Sequence, residues 1–222
     1  MTNTTLTPNR TLNQIMNEDD ASSFILKNKN ALTGLVAGIV VAVIAFGLYV
    51  NFSDKSKAEF NSKIYNFENS ALKTYAQNHE ALALVNAIKS LKSDIGNYPG
   101  LIPVVIKSSD LMMAQNQLNE AIDVLQIGLQ ASKNDYGTYF LLSRLAVAYE
   151  DLGQDQKAIE TLEKMNSHSV KIFEGKNYLD LGRLYLKKGD KEKAKASFNF
   201  VVEKAKDEVE FVRIAKLYLS KI

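Results

Sequence analysis

The sequence predicts an all-α protein in which a single N-terminal transmembrane helix is followed by an α-solenoid of about three helical repeats and a C-terminal capping helix. Three observations lead to this prediction: a long uncharged segment, helical spacing of the apolar residues after it, and a pattern that recurs at a fixed interval. We divide the chain into a polar tail with a short amphipathic helix, the transmembrane helix, a linker with leading helices, and the repeats with their cap: residues 1–30, 31–50, 51–100 and 101–222.

Polar residues dominate the N-terminal tail. Residues 1–26 are rich in Thr, Asn, Ser and Asp, a composition typical of disordered segments. The end of the tail, from Asp19 to Lys27, has acidic residues first and a lysine last, which is the order that a helix dipole favours. This order predicts a short helix at the headgroup boundary before the span.

The segment from Ala31 to Val50 contains twenty residues without a charge, and eleven of them are Leu, Ile, Val or Phe. At about 1.5 Å per residue, a helix of this length reaches about 30 Å, the thickness of the hydrocarbon core of a bilayer. A buried core helix usually has a polar stripe, and this segment has none. We therefore expect it to span a membrane.

A cleavable signal peptide is the main alternative for this segment. Its apolar region would be about 7–15 residues long, close to the chain start and followed by small residues. Here the apolar run begins thirty residues into the sequence and ends with the bulky residues Tyr49, Val50 and Phe52. We therefore expect the segment to remain as an anchor.

Lysines beside the span leave its orientation open. Lys27 and Lys29 precede it, whereas Lys55, Lys57 and Lys63 follow it. The count leans toward a cytoplasmic repeat domain, but long domains cross membranes largely regardless of charge.

Small residues recur every four positions within the span. Gly34, Gly38 and Ala42 fall on one helix face, where small side chains allow a second helix to approach closely. Since glycine is common in transmembrane helices generally, a helix–helix contact face here is a hypothesis.

Helical spacing begins after the span. Five apolar residues step by three or four positions and therefore share one helix face: Phe60, Ile64, Phe67, Ala71 and Tyr75. A second set follows until Gly96-Asn97-Tyr98-Pro99-Gly100 breaks the pattern: Leu84, Ile88, Leu91 and Ile95. We expect residues 56–95 to cover the first repeat.

A pattern of four residues recurs with a displacement of 36 positions. Its two strong copies are Tyr149, Gly153, Ala158, Leu162 and Tyr185, Gly189, Ala194, Phe198. A weaker copy, displaced by 37 positions, is Met112, Asn116, Ala121, Leu125. Small residues permit close helix crossing, large ones fill the layer between helices, and glycine accepts a positive φ at the turn. The final helix of the chain should cap the array with one apolar face: Val212, Ala215, Leu219 and Ile222.

This pattern resembles the tetratricopeptide repeat (TPR), a pair of helices that stacks into arrays of three or more. In such arrays the first helix of each repeat, helix A, lines a concave face. The repeat register predicts nine side chains on that face: Ile106, Asp110, Met113, Ser143, Arg144, Val147, Leu179, Arg183 and Lys187. Together they would form a mixed apolar and basic groove for an extended or helical peptide.

One known use of this fold is to hold the C-terminal carboxylate of a chaperone with basic residues and asparagines. The matching positions in this chain are Ser143, Val147, Lys176 and Asp180. Because only Lys176 fits, we do not expect that ligand.

Composition argues against several other functions. The chain has no cysteine and two distant histidines, so thiolate metal sites, zinc chemistry and catalytic triads are not expected. A formal net charge of +2, with both signs interspersed, is unlike the basic stripe of a nucleic-acid-binding protein. There is no phosphate-binding loop and no nucleophile paired with a base. We expect a protein-binding module without enzyme activity, cofactor or small-molecule substrate.

The complete layout resembles the ancillary SecYEG translocon subunit (YfgM-like) family over about residues 14–222. The features that match are the polar tail, the stretch that ends Lys27-Asn28-Lys29-Asn30-Ala31-Leu32, one glycine-containing span, and local repeat residues such as Leu118-Asn119-Glu120-Ala121 and Lys188-Gly189-Asp190-Lys191. The resemblance implies a single-pass protein of the bacterial inner membrane, with a cytoplasmic N-terminus and periplasmic repeats. Its partners would be translocon subunits, periplasmic chaperones and secretory clients. The lysines after the span depart from that orientation.

A second interpretation is a TPR scaffold or assembly factor of another envelope complex, such as a pilus, a division assembly or a cytoplasmic-facing machine. The sequence leaves the clients, the oligomeric state and the choice between concave and convex binding faces open.

Overall fold

The protein is all-helical over residues 26–222, the part of the chain that the computed structural model describes, and no strand occurs in this part. The predicted disordered tail and most of the predicted helix from Asp19 to Lys27 lie outside the described residues. The prediction of an all-α fold is confirmed. The elements are α1 (Lys29–Phe67), a π-helical turn (Glu68–Leu72), α2 (Lys73–Asn78), α3 (Ala81–Ile95), α4 (Leu101–Ala114), α5 (Leu118–Ala131), α6 (Asp135–Asp151), α7 (Asp155–Ser167), α8 (Glu174–Lys187), α9 (Lys191–Lys204) and α10 (Val209–Leu219).

The chain divides into two compact units, residues 1–57 and 58–222. In the first unit, the apolar segment of residues 31–50 belongs to α1. Leu32 is half-buried, and the other large apolar side chains of the segment are exposed, from 38% at Val50 to 70% at Tyr49. Within the described residues, this N-terminal helix is long and apolar enough to cross a membrane.

In the second unit, α4 packs against α5, α6 against α7, and α8 against α9. Each pair is joined by three residues, and the middle one has a positive φ: 57° at Asn116, 71° at Gly153 and 83° at Gly189. The residue after it donates its backbone N–H to a carbonyl five positions earlier, at 2.8–2.9 Å in all three turns. This bond satisfies a carbonyl that the helix end leaves free. The three turns therefore share one geometry, as the sequence pattern predicts.

The remaining positions of the recurring pattern form the interior of the helix pairs. The three small residues, Ala121, Ala158 and Ala194, are completely buried. Leu125, Leu162 and Phe198, which follow them by four positions, are also buried. Alanine at a helix crossing lets the backbones approach, and the larger side chain fills the layer beside it.

Two hydrophobic cores run through the second unit. The first joins the π-helical turn, the helices from α2 to α5 and parts of α1 and α6, and it includes the predicted leading-helix residues Phe67, Tyr75 and Ile88. The second joins α6 to α10. Ala215 of α10 is completely buried in it, and the other three residues predicted for that face, Val212, Leu219 and Ile222, are partly buried against it. The C-terminal helix thus packs on α8 and α9.

Candidate protein-binding surface

The side chains predicted for a groove lie on α4, α6 and α8, and we call their shared surface the A-helix face. Ser143 and Val147 of α6 line a narrow crevice together with Lys176 and Asp180 of α8. Ile106 and Met113 of α4 are only partly exposed and pack against the first core. The structure therefore brings residues of neighbouring A helices together, with α6 in the middle.

Two arginines of this face are bound to carboxylates of the preceding A helix. Arg144 donates Nε–H to Asp110 Oδ1 at 2.7 Å and Nη2–H to Oδ2 at 3.2 Å. Arg183 holds both carboxylate oxygens of Glu150, with 2.8 Å between Nη2 and Oε2, and it also reaches Asp180. Such two-point contacts fix the geometry of an ion pair more strongly than a single bond does.

Arg183 and Glu150 shift each other's pKa. Hydrogen bonds from Arg183 hold the pKa of the Glu150 carboxyl below its ordinary value, against the opposing effect of burial. The same bonds raise the pKa of Arg183. Both charges are therefore satisfied inside the protein at neutral pH.

The expectation of a basic groove is wrong in this respect. Lys187 is also paired, with its Nζ 2.7 Å from Asp155 Oδ1. All three predicted basic residues thus face a carboxylate from an earlier helix, and Lys176 pairs with Asp180 at 2.7 Å. The register identified the basic residues, but only the fold shows which acids lie opposite them.

Leu179 also departs from its prediction. It is buried in the second core, so its side chain belongs to the interior and is not accessible to a partner. The exposed residues of α8 are Lys176 and Lys187, both charged.

The accessible apolar side chains of the A-helix face lie on α6. Val147 was predicted and is 40% exposed; Phe140 was missed and is equally exposed. They are seven residues apart, so they share a helix face with Ser143. Phe140 precedes Lys176 by 36 positions, but Lys176 is not among the nine side chains predicted for the groove, so the repeat displacement did not identify Phe140.

On another side of the array, a cleft of about 480 Å³ opens between α7, α8 and α9. Tyr185 and Lys193 line it, with the ammonium 5.3 Å from the ring centroid. Burial, followed by the hydrogen bond with Glu163, raises the pKa of Tyr185. The equivalent residues one repeat earlier, Tyr149 and Lys157, make the same contact at 5.4 Å. These clefts therefore belong to the repeated packing of the array. No group of three His, Cys, Asp or Glu side chains in residues 26–222 is placed to hold a metal ion.

The sequence matches the tetratricopeptide repeat-like domain family over residues 23–222, almost the whole chain. The chain belongs to this family. Among solved structures, it is similar to a thermophilic TPR protein of Thermus thermophilus, with 16% identity, a TM-score of 0.46, and coverage of 78% of this chain and 95% of that one. It is also similar to the MamA protein, with 17% identity, a TM-score of 0.27, and coverage of 68% and 96%. No curated protein matches the sequence.

Membership of this family indicates a scaffold for protein–protein interaction, since stacked helical repeats present extended surfaces to other proteins. Nothing in the family match indicates catalysis.

Proposed function

We propose that the protein is a membrane-anchored TPR adaptor of the bacterial inner membrane, with a cytoplasmic N-terminus and periplasmic repeats. Its partners would be subunits of the SecYEG translocon, periplasmic chaperones and the secretory proteins that pass between them. The observation that carries the proposal is an apolar helix without buried residues in a chain that belongs to a protein-binding repeat family.

Solvation energies support the anchor. Eleven residues of the segment are Leu, Ile, Val or Phe, and each favours membrane insertion by roughly 0.3–0.6 kcal/mol at a helix centre, or roughly 3–7 kcal/mol together. No residue of the apolar window is buried by the rest of the protein. A bilayer would remove this surface from water.

The choice of the translocon rests on the resemblance to its ancillary subunit, which also supplies the orientation. Within the span, Gly34, Gly38 and Ala42 are the proposed contacts with a neighbouring transmembrane helix. A Cβ added at Gly34 or Gly38 would meet no atom within 4 Å, so this side of the helix is open to a partner.

Partner capture by the repeats would use the A-helix face. Phe140 and Val147 offer accessible apolar surface beside Ser143, and the ion pairs around them keep neighbouring helices in register. A few well-packed side chains near the centre of a contact contribute most of the affinity of a typical protein interface.

The first experiment is mild detergent extraction, affinity purification through the C-terminus, and mass spectrometry of the proteins recovered. Translocon subunits together with periplasmic chaperones are the expected result. Recovery of a pilus, division or other envelope complex without the translocon would contradict the proposed partners and leave the anchored TPR fold intact. Proteolysis of spheroplasts tests the orientation, because a periplasmic repeat domain is degraded without lysis.

A pair of variants tests the face. Replacing Phe140 and Val147 with Ala should reduce chaperone and client recovery while leaving the helical signal in circular dichroism unchanged. The matched control replaces Leu82 and Leu217, which are exposed apolar residues of α3 and α10. Equal recovery of chaperones and clients with both double variants would show that the A-helix face does not bind them. Charge reversal of Arg144 or Arg183 is a poor test, because it would place carboxylates opposite Asp110 and Glu150.

A further inference from the structure

The cleft of about 480 Å³ between α7, α8 and α9 has an equivalent one repeat earlier, between α5, α6 and α7, with a volume of about 290 Å³. We call them the later cleft and the earlier cleft. Four lining positions hold the same or a similar residue in both: Leu181, Tyr185, Lys193 and Ser197 in the later cleft, and Leu145, Tyr149, Lys157 and Thr161 in the earlier one. The repeated helix packing therefore explains why both clefts exist.

Three other lining positions differ between the two clefts. The later cleft has Asn166, Tyr178 and Ala196, where the earlier cleft has Leu129, Leu142 and Glu160. The first pair is separated by 37 positions and the other two by 36, which are the displacements of the sequence pattern. Two leucines are thus replaced by residues with hydrogen-bonding groups, and a long acidic side chain is replaced by a methyl group. Packing of the array does not require these replacements, because the earlier cleft packs with leucine at both positions.

Asn166 carries hydrogen-bonding groups that the protein itself does not use. Its side-chain Nδ2 and Oδ1 atoms are buried and have no hydrogen-bond partner within residues 26–222. Unpaired buried polar atoms cost free energy that a leucine at this position would avoid. Because the amide has no hydrogen bond to lose, rotating it toward a ligand in the later cleft breaks none. It is therefore available as one donor and one acceptor.

The remaining lining of the later cleft is neutral and partly aromatic. Glu163 and Lys193 are its charged side chains, and their formal charges cancel. Tyr185 contacts both of them: its hydroxyl donates to Glu163, and its ring centroid lies 5.3 Å from the ammonium of Lys193. The ring of Tyr178 stacks on Phe200 with 3.7 Å between the centroids. Such a surface complements an uncharged ligand with an apolar group.

We propose that the later cleft binds a short, uncharged peptide segment of a partner protein. The Asn166 amide would pair with N–H and C=O groups of its main chain, and one apolar side chain would enter the space that Ala196 leaves beside Tyr178. A peptide main chain presents a donor and an acceptor at each residue, which is the complement of a primary amide. Membership of a protein-binding repeat family also favours a peptide over a small molecule. This site lies outside the A-helix face and does not depend on the partners proposed above.

The test measures fluorescence anisotropy with the full chain in lipid nanodiscs and empty nanodiscs as the blank. The probe is the neutral peptide Ser-Ser-Ser-Leu-Ser-Ser-Ser, with a C-terminal amide and an uncharged coumarin at its N-terminus. We expect saturable binding. A second probe has an ester in place of the amide N–H of its leucine. It should bind about tenfold more weakly, because the Asn166 oxygen then loses its donor.

Two variants introduce the residues of the earlier cleft. Asn166→Leu should weaken the Kd of the amide probe by about tenfold and remove the difference between the two probes. It should also keep or raise the melting temperature, since it removes a buried unpaired amide. Ala196→Glu, at an exposed position, should weaken the Kd by filling the cleft. The matched control Glu160→Ala enlarges the earlier cleft and should leave the Kd of the amide probe unchanged.

Several results would overturn the proposal. Absence of saturable binding would do so, as would equal Kd values of the two probes for the wild type, a comparison that requires no variant to fold. Wild-type affinity of Asn166→Leu, or a lowered melting temperature, would assign its amide to the structure of the array. Competition by N-methylacetamide as strong as that by the unlabelled peptide would assign the later cleft to small amides.

This outcome is separable from that of the proposed function. The double variant of Phe140 and Val147 changes the A-helix face, so it should bind the probe as the wild type does. Recovery of translocon subunits depends on the span, so Asn166→Leu should not change it. Probe binding that depends on Asn166, without translocon recovery, would support the later cleft and contradict the proposed partners.

Discussion

The apolar segment of α1 and the helices of the repeat array are built from the same residue types, but their surroundings are opposite. Val43, Ile44 and Phe46 are more than half exposed, whereas Ile88 and Leu141 are completely buried by their own chain. The difference lies in periodicity: array helices have apolar residues on one stripe, and the segment of α1 has them on all sides. Within the described residues, no other part of the chain buries this apolar segment.

The surroundings of glycine also differ between the apolar segment and the array. A Cβ at Gly38 would meet no atom within 4 Å, whereas a Cβ at Gly182 of α8 would lie 2.4 Å from the ring of Phe198. At Gly182, glycine is therefore required by a neighbouring side chain of the same protein. At Gly38, no neighbouring atom of the described residues requires glycine.

The largest expected effect is the loss of an array side chain. Phe198 is completely buried in the second core and stacks on Tyr218. Phe198→Ala should lower the free energy of unfolding by about 3–5 kcal/mol, because it removes a large apolar surface and leaves a cavity. Urea denaturation followed by circular dichroism measures this loss. Leu217→Ala, an exposed control, should change stability by less than about 0.5 kcal/mol.

A charge in the apolar segment should act on membrane retention alone. Val41→Arg, near the middle of the segment, should cost about 2.5–3.5 kcal/mol of insertion free energy. We expect more of this variant in the soluble fraction after alkaline extraction, with the array still folded. Val41→Leu is the control and should stay in the membrane. Destabilisation of the array by Val41→Arg would show that the segment packs on the protein itself.

The glycine contrast predicts an intermediate effect. Gly182→Ala should destabilise the array by about 1–3 kcal/mol through overpacking against Phe198, partly offset by the better helix propensity of alanine. Gly38→Ala should not alter the unfolding of the array. One repeat earlier, the equivalent residues are Ala146 and Leu162. The double variant Gly182→Ala with Phe198→Leu therefore recreates an existing pair and should recover part of the loss, which a double-mutant cycle can measure.

The smallest effect concerns pH. Because Arg183 lowers the pKa of Glu150 in the folded protein, their pairing stabilises the fold above the unfolded pKa of Glu, about 4.3. This contribution is lost as pH falls through the lower, folded pKa. Since both side chains are partly exposed to solvent, it should be below about 1 kcal/mol. Glu150→Gln should lose less stability than the wild type between neutral pH and about pH 3, as measured by urea denaturation. An equal loss in both would show that the pair does not stabilise the fold.

Much of the array could be predicted from sequence, because its geometry depends on local spacing. The positive φ of Gly153 and Gly189 and the burial of Ala158 and Ala194 follow from positions that recur every 36 residues. Apolar spacing likewise identified Phe67 and Tyr75 as core residues outside the repeats.

The binding surface was less predictable, because its properties depend on pairs of residues that are distant in sequence. Asp110 and Glu150 neutralise arginines 34 and 33 positions away, and a single sequence does not show that proximity. The positive φ of Phe173, 51°, was also missed, because no glycine or asparagine marks that position in the sequence. Leu179 was assigned outward by a register that does not resolve small helix rotations.

The ion pairs between separate helical elements share an order along the chain. In Glu68–Lys107, Asp110–Arg144, Glu150–Arg183 and Asp155–Lys187, the acid always precedes the base. In these four pairs, the earlier element supplies the negative charge and the later element supplies the positive charge. The order of the charges therefore makes the two ends of the array different. A helix pair that is duplicated in sequence would find complementary charges on its neighbours. Helix pairs in reversed order would place like charges opposite each other.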